Sequence, residues 1–458
     1  MRHLLTIGII GMAAVGAATP AAAAEHTVGR AQASALQSIL DASAAGDIIR
    51  LTPGEYEGPL RVSTPVRLEG QPGAVVLGSA TGSVVTVTAP GAVVRGLEIR
   101  GSGRDLAAMD SGVFVAASAK GALIENNRII GNLTGVYLHG AAHSIARGNQ
   151  IIGMNAGRMS EAGNGVTLWN APGAEVVDND ISFGRDGIAT NSSKRNVFKG
   201  NRFRNLRFAI HYMYTNDSEI SDNISTGNLA GYAIMFSSRL KISNNLSDSD
   251  RDHGLLLNFA NGSTVSGNTV RGRLQPADRW VVGDARADDK DLPKTDEQPV
   301  GRFDEGGERL GPEKCVFIYN ANRNTFTGNV FEGCSIGIHF TAGSEGNSIT
   351  GNAFIANRNQ VKYVGTRYLD WSKNGQGNYW SDNPAFDLNG DGLADSPYRP
   401  NDIIDQVLWT SPQAKVLTSS PAVQVIRWAQ SQFPALLPGG VVDSRPLMAP
   451  PGRKDKTP

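Results

Sequence analysis

Glu-Ile-Ser-Asp-Asn at 219–223 returns as Lys-Ile-Ser-Asn-Asn at 241–245, and the fold follows from that return. Working outward, the closing phrase recurs as Glu-Asn-Asn at 125–127, Gly-Asn at 148–149, Asp-Asn at 178–179 and Gly-Asn at 200–201. It continues as Gly-Asn at 267–268, 328–329 and 351–352. Asn179, Asn201, Asn223 and Asn245 stand 22 residues apart, as do Asn127 and Asn149, while Asn268 follows Asn245 by 23. A fixed period of this size marks a solenoid. A β-branched run precedes each Asn, and about ten residues earlier lies a second apolar run opened by a small residue, as in Gly135-Val136-Tyr137-Leu138 and Ala209-Ile210. The apolar period is 2, with Gly/Asn turns, so the repeat is strand and not helix. The expectation is an all-β, right-handed parallel β-helix over residues 46–380, one coil per repeat. Asn suits the turn because it tolerates a left-handed backbone and can hydrogen-bond its counterpart one coil away.

The chain has 458 residues, 54 of them Gly, with 43 Lys+Arg against 43 Asp+Glu. A balanced chain without a basic stripe argues against nucleic acid as a partner. Arg2, an apolar run from Leu4 to Ala18 and the small tract Ala21–Ala24 read as a secretory signal over 1–24, which implies a periplasmic address. Residues 25–45 read as a cap, with Leu36, Ile39 and Leu40 on one face of a short helix over Ala33–Ala45. Such a helix covers the open end that solenoids must protect.

Two steps are long. Asn149 to Asn179 spans 30 residues, with the surplus around Met154–Gly163. Asn268 to Asn329 spans 61, leaving a charged insertion at 271–313 that reads as either functional or disordered. Residues 381–408 carry an Asp/Asn-rich loop, and 409–458 a tail. In the tail, Ser420-Pro421 opens a helix to about Phe433, with Val425, Ile426, Trp428 and Ala429 on an apolar stripe. It either caps the last coil or docks on another chain.

Alternation sends Val136, Leu138, Val166, Leu168, Ile210, Tyr212, Ile234 and Phe236 inward. It leaves an outward face of Tyr137/His139, Thr167/Trp169, Ala189/Asn191, His211/Met213, Met235/Ser237, Leu256/Asn258 and His339/Thr341. That face has no carboxylate or Lys/Arg column of the kind polysaccharide-active β-helices need for acid/base work. It has His211 and Met213, two apart, with Met235 as the expected register mate of His211 one coil on, and Met154 and Met159 on the bulging loop. Imidazole with thioether is a ligand set for Cu(I), although His and Met on an open sheet are also ordinary surface. Asp387, Asn389, Asp391 and Asp395, with Gly392 at the sixth position, match a calcium loop, but Tyr398 stands where the bidentate Glu belongs, so an Asx-rich turn is the other reading. Cys315 and Cys334 are 19 apart on successive coils and read either as a disulfide or as two buried small hydrophobes.

The run from Ala209 to Asn216, the run Gly231–Ser237, Gly377-Asn378-Tyr379-Trp380, and Arg427–Gln430 with Gly439–Ser444 together resemble the NosD family, over nearly the whole mature chain. The resemblance implies a periplasmic, non-enzymatic accessory protein for the copper–sulfur centre of nitrous-oxide reductase. It also implies partners: an ABC-type ATPase and permease, and a copper chaperone lipoprotein. A polysaccharide-binding or -modifying β-helix and a metal-free adaptor are the competing classes.

Overall fold

The structure, a computed structural model, describes residues 23–155, 157–273, 312–365, 367–401, 404–405, 407, 420–432 and 439–451. All but the last two residues of the signal reading over 1–24, most of the 271–313 insertion and the tail up to residue 419 lie outside the described residues. Each coil contributes one strand to each of three parallel sheets of 13, 12 and 13 strands. One coil shows the pattern: Phe208–Met213, then Glu219–Ser221, then Ile224–Thr226. The expected parallel solenoid is what forms. The third strand, after each Asn, escaped the sequence because it is three residues long and buries one side chain, Ser225 in this coil.

Every ladder Asn is buried and in line. The side-chain amide of Asn127 donates to Asn149 Oδ1, and the same bond repeats through Asn179, Asn201, Asn223, Asn245, Asn268, Asn329, Asn352 and Asn378, each at 2.8–3.0 Å. Each Oδ1 also accepts the backbone N–H of the preceding Asn, as Asn223 Oδ1 does from Asn201. The left-handed turn is not at the ladder Asn, as expected from sequence, but one residue earlier, at Asn126, Asp178, Asp222 and Asn244 and at Gly148, Gly200 and Gly267. The division follows from geometry: the residue before takes the positive φ, so the ladder side chain is free to point inward.

Between the sheets, Ile210, Tyr212, Phe198 and Ile220 are fully buried, with Phe198 and Tyr212 edge to face at 5.6 Å. Truncating a buried ring of this kind costs about 3–5 kcal/mol.

Both ends are closed. A strand, Glu25–Val28, pairs with Ile48–Leu51 ahead of the cap helix, so the solenoid starts before the helix. A 3-10 turn, Arg30–Ala35, leads into the helix Leu36–Ala42, which buries Leu36 and Leu40. Gln37 exchanges two hydrogen bonds with the backbone of Arg61, satisfying the exposed edge of the first strand of the 12-stranded sheet. At the far end Trp380 stacks on Phe354 at 4.4 Å with Trp371 beside them, and Tyr368–Asp370 pairs with Gly440–Val442. Asp443 ends the Asn ladder: its Oδ2 accepts from the Asn378 N–H at 2.7 Å and the Trp380 indole at 2.8 Å. Among the described residues this Trp/Asp443 assembly closes the last coil. The tail helix, Pro421–Gln432, leaves Val425 and Ile426 exposed. Cys315 and Cys334 are joined in a disulfide, with their Cα atoms 5.6 Å apart.

Candidate functional site

The outward face of the 12-stranded sheet carries two columns in register. One runs Arg61–Thr86–Phe114–Tyr137–Thr167–Ala189–His211–Ala233–Leu256–Phe317–His339–Lys362. Charge appears in it only at the two ends. The neighbouring column runs His139–Trp169–Asn191–Met213–Met235–Asn258–Tyr319.

Three placements differ from the sequence reading. Met235 is the register mate of Met213, and His211 faces Ala233, because the step of 22 maps 213 onto 235. Two thioethers thus sit side by side on adjacent coils, ~4.8 Å apart along the sheet, with His211 two residues from one of them. Phe236 is not inward. It takes a left-handed backbone (φ 48°), which resets the alternation, and it stacks in the open between Tyr214 at 5.1 Å and Phe259 at 5.2 Å. Ser237 is not outward: it is buried at the next corner, where its Oγ accepts the Thr215 N–H at 3.0 Å.

The bulging loop behaves differently from the Met pair. Met159, in the 3-10 turn Met159–Glu161, is fully buried, so its thioether packs the loop instead of facing solvent. Met154 is partly exposed. The loop's use is architectural: with Leu106 and Met109 it walls a cavity of about 330 Å³ over the column floor Tyr137, Thr167, Ala189 and His211. Small side chains at 167 and 189 leave room between the two rings. Gly163 is required where the loop rejoins the coil, since a Cβ there would meet the Leu133 carbonyl at 2.2 Å. His139, earlier on the face, is held in a stack with Trp169 at 4.8 Å.

At one end of the cavity lies a cluster that the sequence reading passed over. Asp186 is buried at the start of its strand and takes Arg207 in a bidentate pair, Nε at 2.8 Å and Nη2 at 2.6 Å. Its Oδ2 is also 3.1 Å from His211 Nδ1. Burial alone would raise the Asp186 carboxyl, yet hydrogen bonds from His211 and Arg207 and their charges outweigh it and hold it at about 2. The signal for this cluster was Asp186 directly before the Gly that opens a first strand, with Arg207 on the next coil one residue ahead of its register mate, Phe208. Farther along the face, burial, aided by Lys314, lowers His253 to about 4. Burial, with Lys362 and Lys314 adding, lowers His339 to about 3. Both imidazoles are therefore neutral at ordinary pH.

The calcium reading fares differently. Asp387 accepts the N–H groups of Gly390, Asp391 and Gly392; Asp391 accepts from Leu393, Asn389 from Asp391, and Asp395 from Leu388. The loop closes as a run of Asx turns on its own amides. Among the described residues no group of three or more His, Cys, Asp or Glu side chains is placed to hold a metal. The two thioethers and one imidazole of the outward face are, by type, donors that soft metal ions favour.

A family model described as "Periplasmic copper-binding protein (NosD)" matches residues 149–385, the stretch holding the Met pair, His211 and Asp186. The chain is 40% identical to "Probable ABC transporter binding protein NosD" of Stutzerimonas stutzeri, over 88% of this chain and 87% of the relative. It is 38% identical to the protein of the same name from Pseudomonas aeruginosa, over 89% of each. Among solved structures it is similar to DFA-IIIase from Arthrobacter chlorophenolicus, with a TM-score of 0.49 and 14% identity, over 76% of this chain and 98% of that one. It is also similar to PfbA, a surface adhesin of Streptococcus pneumoniae, with a TM-score of 0.40 and 11% identity over 70% and 88%.

Proposed function

The chain belongs to the NosD family of periplasmic copper-binding proteins, and from that premise we propose that it carries Cu(I) as cargo on Met213, Met235 and His211. The copper is destined for the copper–sulfur centre of nitrous-oxide reductase. The observation that supports this is the register of Met213 with Met235 beside His211 on an outward face. Two thioethers and one imidazole without a surrounding cage suit hand-over more than storage. Met154, on the loop above, is a helper at most. The protein acts as a binding and assembly factor, not an enzyme, a reading that the relatives' names as binding proteins support.

Its partners on this reading are an ABC-type permease and ATPase, a copper chaperone lipoprotein and the reductase. The relatives' names support the first of these. The docking element is the tail helix, whose exposed Val425 and Ile426 the solenoid cap does not use.

Leu at both Met213 and Met235 tests the copper site. Folding should be kept, since both side chains face outward, while Cu(I) binding and reductase maturation fall. Full copper stoichiometry with full reductase activity would overturn this ligand set. Replacing Val425 and Ile426 with Ser, which leaves the Gly440–Val442 strand and Asp443 in place, should abolish co-purification with the permease; unaltered co-purification would remove the helix from the interface.

A further inference from the structure

We propose that Asp186, clamped by Arg207, is a positioning residue that keeps the proton of His211 on Nδ1 and so presents a bare Nε2 to Cu(I) beside Met213 and Met235. This rests on the copper reading above. The carboxylate plane is set first. Arg207 binds it through Nε at 2.8 Å and Nη2 at 2.6 Å, the fork geometry that fixes both oxygens. Both side chains are nearly enclosed, 2% exposed for Asp186 and 11% for Arg207. From that fixed plane Oδ2 lies 3.1 Å from His211 Nδ1.

An ionised carboxylate only accepts, so the contact is made when Nδ1 carries the hydrogen, and the lone pair is then on Nε2. One neighbour opposes this: Arg207 Nη2 lies 3.4 Å from the same Nδ1 and, as a donor, would prefer it bare. The distances decide the contest: the carboxylate oxygen is the nearer partner of Nδ1, at 3.1 Å against 3.4 Å, and one of the two Nη2 hydrogens is already spent on Oδ2 at 2.6 Å. The ring is fixed laterally too: Phe208 meets it edge to face at 5.2 Å, and Arg207 covers Phe208 at 4.5 Å. The Arg207–Asp186 pair would be satisfied without the imidazole. Its third arm, reaching a half-buried ring on the outward column, is the arrangement by which a carboxylate sets the tautomer of a metal-binding histidine.

Asp186→Asn is the discriminating change. Asn has one oxygen, and Arg207, which can only donate, claims it. With that oxygen kept on Arg207 Nε, the NH₂ takes the place of Oδ2, displaces Nη2 and donates into Nδ1, driving the ring proton to Nε2, where it blocks the ligand. Cu(I) affinity of the full mature chain, measured by competition with a chromophoric Cu(I) chelator, should fall 10–100-fold, the usual loss for such a partner. The apo-protein, labelled with ¹⁵N-histidine, should show His211 protonated at Nδ1 in the wild type and at Nε2 in the variant.

If Leu at Met213 and Met235 weakens copper binding while Asp186→Asn changes neither affinity nor tautomer, the positioning role is overturned and the copper site stands. If the Leu pair changes nothing, the copper reading falls and takes this proposal with it. Should Asp186→Asn fail to fold, the wild-type spectrum alone decides: a His211 proton on Nε2 overturns the proposal.

Discussion

Replacing Asn223 with Ala should be among the most damaging single changes in this protein, although Asn223 touches no functional group. The Asn223 side chain is fully buried and makes four hydrogen bonds. Its Oδ1 accepts the backbone N–H and the side-chain amide of Asn201, each at 3.0 Å, and its Nδ2 donates to the Phe198 carbonyl at 2.9 Å and Asn245 Oδ1 at 3.0 Å. In the Ala variant Asn245 Oδ1 still accepts the residue 223 backbone N–H. Two Asn201 donors, however, are stranded in a closed corner, and the Phe198 carbonyl loses a partner. At about 1–3 kcal/mol for each stranded group the loss comes to about 3–6 kcal/mol, nearer the lower figure if a water fills the gap. Asn223→Asp makes the sharper comparison. It keeps the acceptor for Asn201 but turns a carboxylate oxygen toward two other acceptors, so it should be worse at pH 8 than at pH 5. Urea unfolding gives the magnitude, and hydrogen exchange should locate the opening to the coils on either side, because solenoid stability is nearest-neighbour. An Ala variant within about 1 kcal/mol of wild type, or an Asp variant as stable as wild type at pH 8, would refute the claim that the ladder holds the corner.

Three further expectations can be checked together. Asp250, buried beneath Ser225 and Ser247, is pushed up to about 7 by burial, so its contribution to stability is full below 3.8 and is lost as pH rises through 7; Asp250→Asn should flatten that slope in thermal melts from pH 5 to 8. The Cys315–Cys334 bridge closes a separation of 19 residues, so replacing both with Ser should cost about 3 kcal/mol in urea unfolding, and thiol titration of the unfolded, unreduced wild type should find none. The 387–395 turn closes on its own amides, so EDTA should leave the melting temperature unchanged; a clear drop restored by calcium would favour the calcium loop over the Asx turn.

The solenoid was legible because a ladder needs the same side chain at the same place on every coil, and a spacing of 22 records that directly. The cap helix was legible for a similar reason, through Leu36 and Leu40 on one face. What escaped were features that depend on the backbone's local hand or on contacts across coils. Phe236 looked inward because alternation was carried through a residue whose positive φ ends the strand. Met235 was paired with His211 although a step of 22 leads from it to Met213. Asp186 and Arg207 lie 21 residues apart, just ahead of their Gly or Ala strand openers, and only stacking of the coils brings their charges together and sets them against His211. The candidate site was thus half visible: its sulfur and imidazole donors by type, its carboxylate not at all.

The Asn ladder also passes over both long excursions of the chain. The link from Asn149 to Asn179 bridges 30 residues and that from Asn268 to Asn329 bridges 61, and each is 3.0 Å, as in coils of 22. The rod does not register how much chain hangs between two of its rungs. Added chain at these two places is therefore nearly invisible to the ladder, while the corner tolerates almost no change. A lineage can lengthen such a protein by copying a whole coil, about 4.8 Å at a time, or remodel its outgrowths for a new partner, without renegotiating the frame that carries them.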